Sequence, residues 1–218
     1  MLVPTPELPK PRLRGVLHQW AFFVTCALGA ALILTAPRGT ATVAAAIYAG
    51  SVAGLFGASA LYHRVTWSRA AARAWMRRLD HSMIFVLIAG SYTPFALLVL
   101  DGTLATVILL TVWIGAALGI VFKLLWIGAP DWLSTLVYSA LGSVSIVTFP
   151  ELASGLGVVG VMLLAAGGLL YSAGAVVYAS QRPDPVPTVF GYHEIFHVLV
   201  VVAAALQYAV VAFWVLPG

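Results

Sequence analysis

Residues 80–126 read DHSMIFVLIAGSYTPFALLVLDGTLATVILLTVWIGAALGIVFKLLW and decide the class of fold. Two apolar runs, 80–100 and 104–126, flank the turn signal Asp101-Gly102. Each run is long enough to cross the hydrocarbon core of a bilayer as a helix, which takes about 20 residues. The stretch therefore predicts two membrane-spanning α-helices joined by a short turn.

The same pattern continues through the rest of the chain, which has 218 residues, 62% of them hydrophobic and only 8% charged. Such a composition excludes a water-soluble globular domain. Further apolar runs lie at 16–36, 41–63, 131–149, 156–179 and 191–216, and the run at 131–149 is short. We expect an all-α protein with a single domain of seven transmembrane helices at 16–218, preceded by a proline-rich, disordered cytoplasmic tail at 1–15.

The basic residues predict how the chain is oriented in the membrane. Ten of the eleven lysines and arginines fall on one side of the predicted spans, and Arg38 alone falls on the other. Because loops rich in lysine and arginine stay in the cytoplasm, we expect the N-terminus inside and the C-terminus outside. The basic residues form no separate domain, so no nucleic-acid partner is expected.

Most of the titratable residues near the spans gather at the predicted cytoplasmic membrane face. Ionisable groups inside a membrane are costly and often mark function. One group ends the second span, two begin the third and three begin the last: His63, Asp80, His81, His193, Glu194 and His197. His18, at the start of the first span, is expected to be an interfacial side chain outside this group.

The motif HEIFH at 193–197 matches H-E-x-x-H, in which two histidines bind zinc and the glutamate activates water. Histidines four apart share one helix face, but zinc needs at least a third protein ligand. None of the 21 residues after His197 is His, Cys, Asp or Glu, and Asp101 lies at the opposite membrane face. His63 lies at the correct depth, so we expect a zinc site of His63, His193 and His197 rather than a protease centre. Glu194 is expected to stabilise the helix N-terminus or to bond a neighbour.

These residues resemble the bacterial haemolysin III family, relatives of the progestin and adipoQ receptors and, more distantly, of the alkaline ceramidases. The resemblance is carried by Ser59-x-x-x-His63, Leu79-Asp80-His81-Ser82 and His193-x-x-x-His197, and it covers essentially the whole chain. It implies a seven-helix protein of the plasma membrane, in bacteria the inner membrane, with zinc near the cytoplasmic face. The residues matching His63, His193 and His197 would bind the zinc, Asp80 would hold the water on the metal, and Ser59 would lie close to the site.

The chemistry of this residue set suits hydrolysis. Zinc lowers the pKa of bound water and polarises a carbonyl, and Asp80 could act as general base while Ser59 orients the carbonyl or the water. In the receptor relatives the arrangement is associated with a lipid-filled cavity and ceramidase-type amide hydrolysis. We therefore expect a zinc-dependent hydrolase acting on a lipid amide or ester, with membrane lipids, including an acyl-amide substrate, as partners.

Several alternatives stay open at this point. The protein could be a non-enzymatic membrane regulator or receptor in which zinc braces the helices, or a membrane-homeostasis or cytolysis factor. Asp80 could instead be a helix N-terminal carboxylate favoured by the helix dipole, or pair with Arg77 or Arg78. Ser59 could bond back to its own helix. A structural role is preferred for His81, which points about 100° away from Asp80 on an ideal helix.

Overall fold

The computed structural model describes residues 10–217, and over that range the chain is helical. The helices are α1 (Val16–Thr35), α2 (Thr40–Arg64), α3 (Ala70–Leu98), α4 (Gly102–Leu125), α5 (Asp131–Gly142), α6 (Phe149–Ser180) and α7 (Tyr192–Val210). A 3₁₀ turn at Ser143–Ile146 follows α5, and a π-helical turn at Val211–Val215 follows α7. The predicted all-α class is confirmed.

The seven helices form a closed ring. Each helix packs against the next one along the chain, and α7 returns to pack against α1. Fully enclosed side chains face the interior of the ring, among them Tyr48 and Phe56 of α2, Phe85 of α3, Val112 of α4 and Val210 of α7. The ring therefore leaves large apolar side chains on its outer surface, such as Leu34, Leu118 and Leu169, where lipid tails would cover them.

Within residues 10–217, six helices are long and apolar enough to cross a membrane, which makes this a multi-pass membrane protein. They are α1, α2, α3, α4, α6 and the continuous segment of α7 with its π turn. The predicted count of seven is not confirmed, because α5 has only 12 residues, about 18 Å of helix. A typical hydrocarbon core is about 30 Å thick.

Contacts from α3 explain why α5 ends early. The Tyr92 hydroxyl donates to the Gly142 carbonyl oxygen and accepts from the Ser145 backbone N–H. The backbone groups at the end of α5 are thus satisfied by a neighbouring helix and a 3₁₀ turn. Pro150 then lies in the first turn of α6, where its missing N–H costs nothing. The run predicted as one span, 131–149, therefore comprises α5, the 3₁₀ turn and a short connection to the start of α6 at Phe149.

Two other segments differ from the sequence prediction. Helix α3 begins at Ala70, ten residues before the predicted span 80–100, so the arginine-rich segment before Asp80 is largely helical. Of the predicted tail 1–15, residues 1–9 lie outside the described part of the chain. Residues 10–15 contact the loop before α7, with the backbone N–H groups of Arg12 and Leu13 donating to the carbonyl oxygens of Thr188 and Val189 at 3.0 and 3.2 Å.

Helices α2 and α3 approach closely at Gly90. A Cβ atom added there would lie 2.2 Å from Ser51 Oγ and 2.5 Å from Ser51 Cβ, closer than real Cβ atoms come. Gly50, on α2, has no neighbouring atom within 4 Å of the equivalent position. The close approach of the α2 and α3 backbones therefore requires glycine at position 90.

We predict that Gly90→Ala lowers the free energy of unfolding by about 1–3 kcal/mol, because the added methyl group overpacks the contact with Ser51. Thermal unfolding of the detergent-purified protein measures the effect. The matched control Gly50→Ala should leave the midpoint unchanged or raise it slightly, since alanine favours a helix over glycine. Equal midpoints for the two variants would contradict the close packing at Gly90.

Candidate metal centre

Three histidines from two helices meet at one end of the bundle. His63 lies in the last turn of α2, and His193 and His197 lie in the first two turns of α7. The Nε2 atoms of His63 and His193, 130 positions apart in the chain, are 3.2 Å from each other. One ring nitrogen from each of the three residues lies within 4.8 Å of the others. These three residues could hold a metal ion.

The spacing of the nitrogens suits a tetrahedral site. With metal–nitrogen bonds of about 2.0–2.1 Å, two ligand nitrogens of a tetrahedral zinc lie about 3.4 Å apart. The distance between His63 and His193 matches that edge, and the third nitrogen needs a shift of about 1 Å to complete the face. Neutral imidazoles also suit other transition metals, so the donor set by itself does not select zinc. Three ligands leave a fourth position for water or substrate.

Asp80 borders the histidine cluster from α3. Its Oδ2 atom lies 3.6 Å from His63 Nε2 and 3.9 Å from His81 Nδ1, and the side chain is 13% exposed. No ion pair joins Asp80 to Arg77 or Arg78, so the alternative role as an arginine partner is not seen. Because α3 begins ten residues earlier, Asp80 also does not cap a helix N-terminus. Its carboxylate therefore faces the nitrogens that could bind a metal.

His81 is fixed to its own helix. Its Nδ1 atom is 2.8 Å from the Arg77 carbonyl oxygen, and its own carbonyl oxygen accepts a hydrogen bond from the Tyr138 hydroxyl at 3.2 Å. These contacts join α3 to α5 beside the cluster. They agree with the structural role preferred for His81 from the sequence.

His18 belongs to the site, and its prediction as an interfacial side chain was wrong. It is only 3% exposed, and its ring stacks on His197 with centroids 3.6 Å apart and planes 12° apart. Its Nδ1 atom is hydrogen-bonded to Ser59 Oγ at 2.7 Å. The sequence holds one signal that could have identified His18 as a site residue. The first span starts on the same predicted side of the membrane as the third and seventh spans, which carry Asp80, His193 and His197.

Ser59 connects this histidine to the carboxylate. It is buried on α2 one turn before His63, and its hydroxyl group lies beside both His18 and Asp80. Among the described side-chain contacts its Oγ bonds His18 rather than its own helix, unlike the alternative considered from the sequence. Asp80, Ser59 and His18 therefore form a polar row along the histidine cluster.

Glu194, the middle acid of HEIFH, is fully buried and has both oxygens engaged elsewhere. Oε2 accepts the Gly191 backbone N–H at 2.8 Å, and Oε1 accepts Arg14 Nε at 2.5 Å. The carboxylate thus caps the N-terminus of α7 and fixes the segment before α1 to it. The expectation that Glu194 stabilises the helix or bonds a neighbour is confirmed.

A cavity of about 590 Å³ extends from the cluster into the bundle. His193, His197 and Asp80 lie in its wall at one end, and the rest of the wall is mostly apolar. Ile146 and Leu169, from the 3₁₀ turn and α6, also line it, although 73% and 72% of their surface is exposed on the outside of the bundle. The cavity therefore reaches a surface that lipid tails would cover.

Comparison with known proteins agrees with this arrangement. Residues 7–208 match the family described as haemolysin-III related. The hemolysin-3 homolog of Bacillus subtilis is 36% identical over 185 residues, 84% of this chain and 83% of that protein. Hemolysin-3 of Bacillus cereus is 36% identical over 188 residues, 85% and 82% of the two chains. The human monocyte to macrophage differentiation factor is 29% identical over 171 residues, 76% of this chain and 68% of that protein.

The resemblance recognised in the sequence is thereby confirmed, since the match covers the α2, α3 and α7 segments that carry the histidines and Asp80. It extends from two bacterial proteins to a mammalian relative of the progestin and adipoQ receptor type. This seven-helix, multi-pass membrane protein belongs to the haemolysin III family.

Proposed function

We propose that this protein is a zinc-dependent hydrolase that cleaves an amide or ester bond of a membrane lipid at the cytoplasmic face of the cell membrane. The observation that carries the proposal is the three-histidine cluster, which faces the Asp80 carboxylate at one end of a largely apolar cavity. An ionisable cluster inside a membrane bundle is itself a mark of function.

Each residue of the cluster has a defined part in such a reaction. His63, His193 and His197 would hold the metal, and three protein ligands would leave room for water or substrate. A bound zinc ion supplies Lewis acidity, which lowers the pKa of water from 15.7 to about 7 and polarises a carbonyl. Asp80 Oδ2, which lies 3.6 Å from His63 Nε2, would accept the proton of the attacking water. The hydrogen bond between Ser59 Oγ and His18 Nδ1 would hold the Ser59 hydroxyl group in place, and this hydroxyl group would orient the water or the substrate carbonyl.

The cavity supports a lipid as the substrate. A hydrolysable carbonyl at the polar end would lie against Asp80 and the histidines, while an acyl chain would occupy the apolar remainder. The exposed Ile146 and Leu169 in its wall would let a chain enter from the side rather than through water. Membrane lipids are therefore the proposed partners.

A second candidate function is a non-enzymatic regulator or receptor in which the metal only joins α2 to α7. The favouring observation is that the Nε2 atoms of His63 and His193, which are 3.2 Å apart, belong to these two helices. The names of the relatives describe haemolysins and a differentiation factor rather than hydrolases. In that case the cavity would hold a ligand without cleaving it, or the protein would act in membrane homeostasis or cytolysis.

Metal content and turnover together test the proposal. We expect purified wild type to carry about one zinc per chain and to cleave members of a panel of acyl amides and esters in mixed micelles. His197→Ala should lose both metal and turnover. Asp80→Asn should keep the metal and lose turnover by about 10²–10⁴-fold, because only the proton acceptor is removed.

The control for metal binding is His81→Gln, which removes another imidazole beside Asp80. Its Nδ1 atom is bonded to the Arg77 carbonyl, so this variant should keep the zinc. Wild type without stoichiometric zinc would contradict the site. Zinc retained without turnover of any lipid in the panel would favour the structural role.

We also propose that α5 and its 3₁₀ turn complete a seventh crossing, with the N-terminus in the cytoplasm. Together they measure about 26 Å, close to the hydrocarbon thickness. The start of α5 is at the histidine end, where Ser134 accepts from Lys123 of α4, and the end of α6 returns there, with the Tyr178 ring 5.6 Å from His193. Arg182 and Lys123 then share the cytoplasmic side with the arginines before Asp80.

Reporter fusions measure the orientation. We predict that alkaline phosphatase fused after Gly218 is active outside the cytoplasm, whereas the same fusion at Gly128, in the loop before α5, is inactive. Green fluorescent protein should give the reverse pattern at both sites. Fluorescence from the Gly218 fusion would mean an even number of crossings and would exclude α5 as a span.

A further inference from the structure

Buried polar atoms without partners concentrate in the wall of the cavity. Within residues 10–217, six buried side-chain nitrogen or oxygen atoms have no hydrogen-bond partner. Four belong to residues that line the cavity, namely His18, Ser91, Tyr171 and Gln207, and two, on Tyr48 and Ser82, belong to residues outside its lining. Leaving such an atom unpaired is unfavourable, because its hydrogen bond to water is lost without a replacement. A cavity occupant with matching polar groups would offset that cost.

Three of these atoms lie far from the metal centre, at a similar depth. Ser91 follows Asp80 by eleven residues on α3, and Gln207 follows His197 by ten on α7, so each is about 15 Å further along the bundle.

Tyr171 reaches the same level from α6. It precedes Tyr178, the neighbour of His193, by seven residues, or about 10 Å of helix. Helical side chains tilt toward the N-terminus of their helix, which in α6 is the end away from the histidines, so the hydroxyl group lies deeper than the backbone. Three helices thus present unpaired polar atoms near the middle of the cavity.

The chemistry of these atoms selects the group that could pair with them. Gln207 Oε1 can only accept a hydrogen bond, whereas the hydroxyls of Ser91 and Tyr171 can both donate and accept. A ligand hydroxyl can donate to the amide oxygen and accept from a side-chain hydroxyl at the same time. A ligand carbonyl would leave Gln207 Oε1 unpaired, and a plain alkyl chain would leave all three atoms unpaired.

We propose that the middle of the cavity is a binding subsite for a hydroxyl group on the hydrocarbon chain of the ligand. The preferred ligands are then lipids hydroxylated about 15 Å from the group held at the metal centre. The position of that head group rests on the proposed function, whereas the hydroxyl subsite rests on the unpaired atoms of Ser91, Tyr171 and Gln207. A trapped water could satisfy the same atoms, and it would then give no preference between ligands.

Binding of free fatty acids tests the subsite without any need for turnover. The probes are stearic acid, its mid-chain hydroxylated counterpart and its isomer hydroxylated at the chain end, each displacing a fluorescent fatty acid from the full chain in detergent. We expect the mid-chain hydroxy acid to bind wild type about tenfold more tightly than the other two, the effect of two hydrogen bonds. Equal affinities for the three acids, or no binding of any, would overturn the proposal.

Matched variants locate the effect. Ser91→Ala and Tyr171→Phe should each reduce the mid-chain preference by about threefold to fivefold, and the double variant should abolish it. Ser82→Ala and Tyr48→Phe are the controls, since Ser82 is as buried as Ser91 on the same helix and the Tyr48 hydroxyl is likewise unpaired within the described chain. A preference that persists in the double variant would contradict the assignment.

The outcome is separable from that of the hydrolase proposal. A mid-chain preference in a protein that cleaves no lipid would keep the subsite and remove the enzyme. Turnover of lipid amides without any preference for the mid-chain hydroxy acid would support the enzyme and exclude the hydroxyl subsite.

Discussion

The arrangement of this bundle depends on two contacts of the buried Glu194 carboxylate. This carboxylate caps the first turn of α7 through the Gly191 N–H and pairs with Arg14, just before α1. The first and last helices are thereby joined at the end of the ring that carries the histidines. A buried ion pair that loses one partner typically costs about 3–5 kcal/mol, because a charge is left uncompensated. The glutamate that suggests a protease in the motif HEIFH thus serves to position its two histidines.

The end of the bundle at which each ionisable residue lies could be predicted from the sequence, and its lateral position could not. The span boundaries predict the end of the bundle at which each ionisable residue lies. They therefore predict that His63 is close to His193 and His197, and the structure shows these three residues together. His18 was at the same level, yet its stacking on His197 depends on α1 lying beside α7, which no local pattern encodes. The length of α5 was missed for a similar reason, since Tyr92 of a distant helix satisfies the groups that end it.

The candidate metal centre and the cavity adjoin each other. The polar row of Asp80, Ser59 and His18 lies at one end, where water and a head group could meet the metal. The apolar remainder passes three further unpaired polar atoms and reaches a lipid-facing surface at Ile146 and Leu169. A membrane bundle that buries this many polar groups must offset their desolvation, and a bound metal together with a hydroxylated lipid would do so.

X-ray absorption at the zinc edge of the purified wild-type protein tests the central claim most directly. We expect the zinc to be bound by three imidazole nitrogens at about 2.0–2.1 Å and by one additional oxygen ligand from water. A site with a sulfur ligand, an all-oxygen shell, four protein ligands or no zinc at all would contradict it.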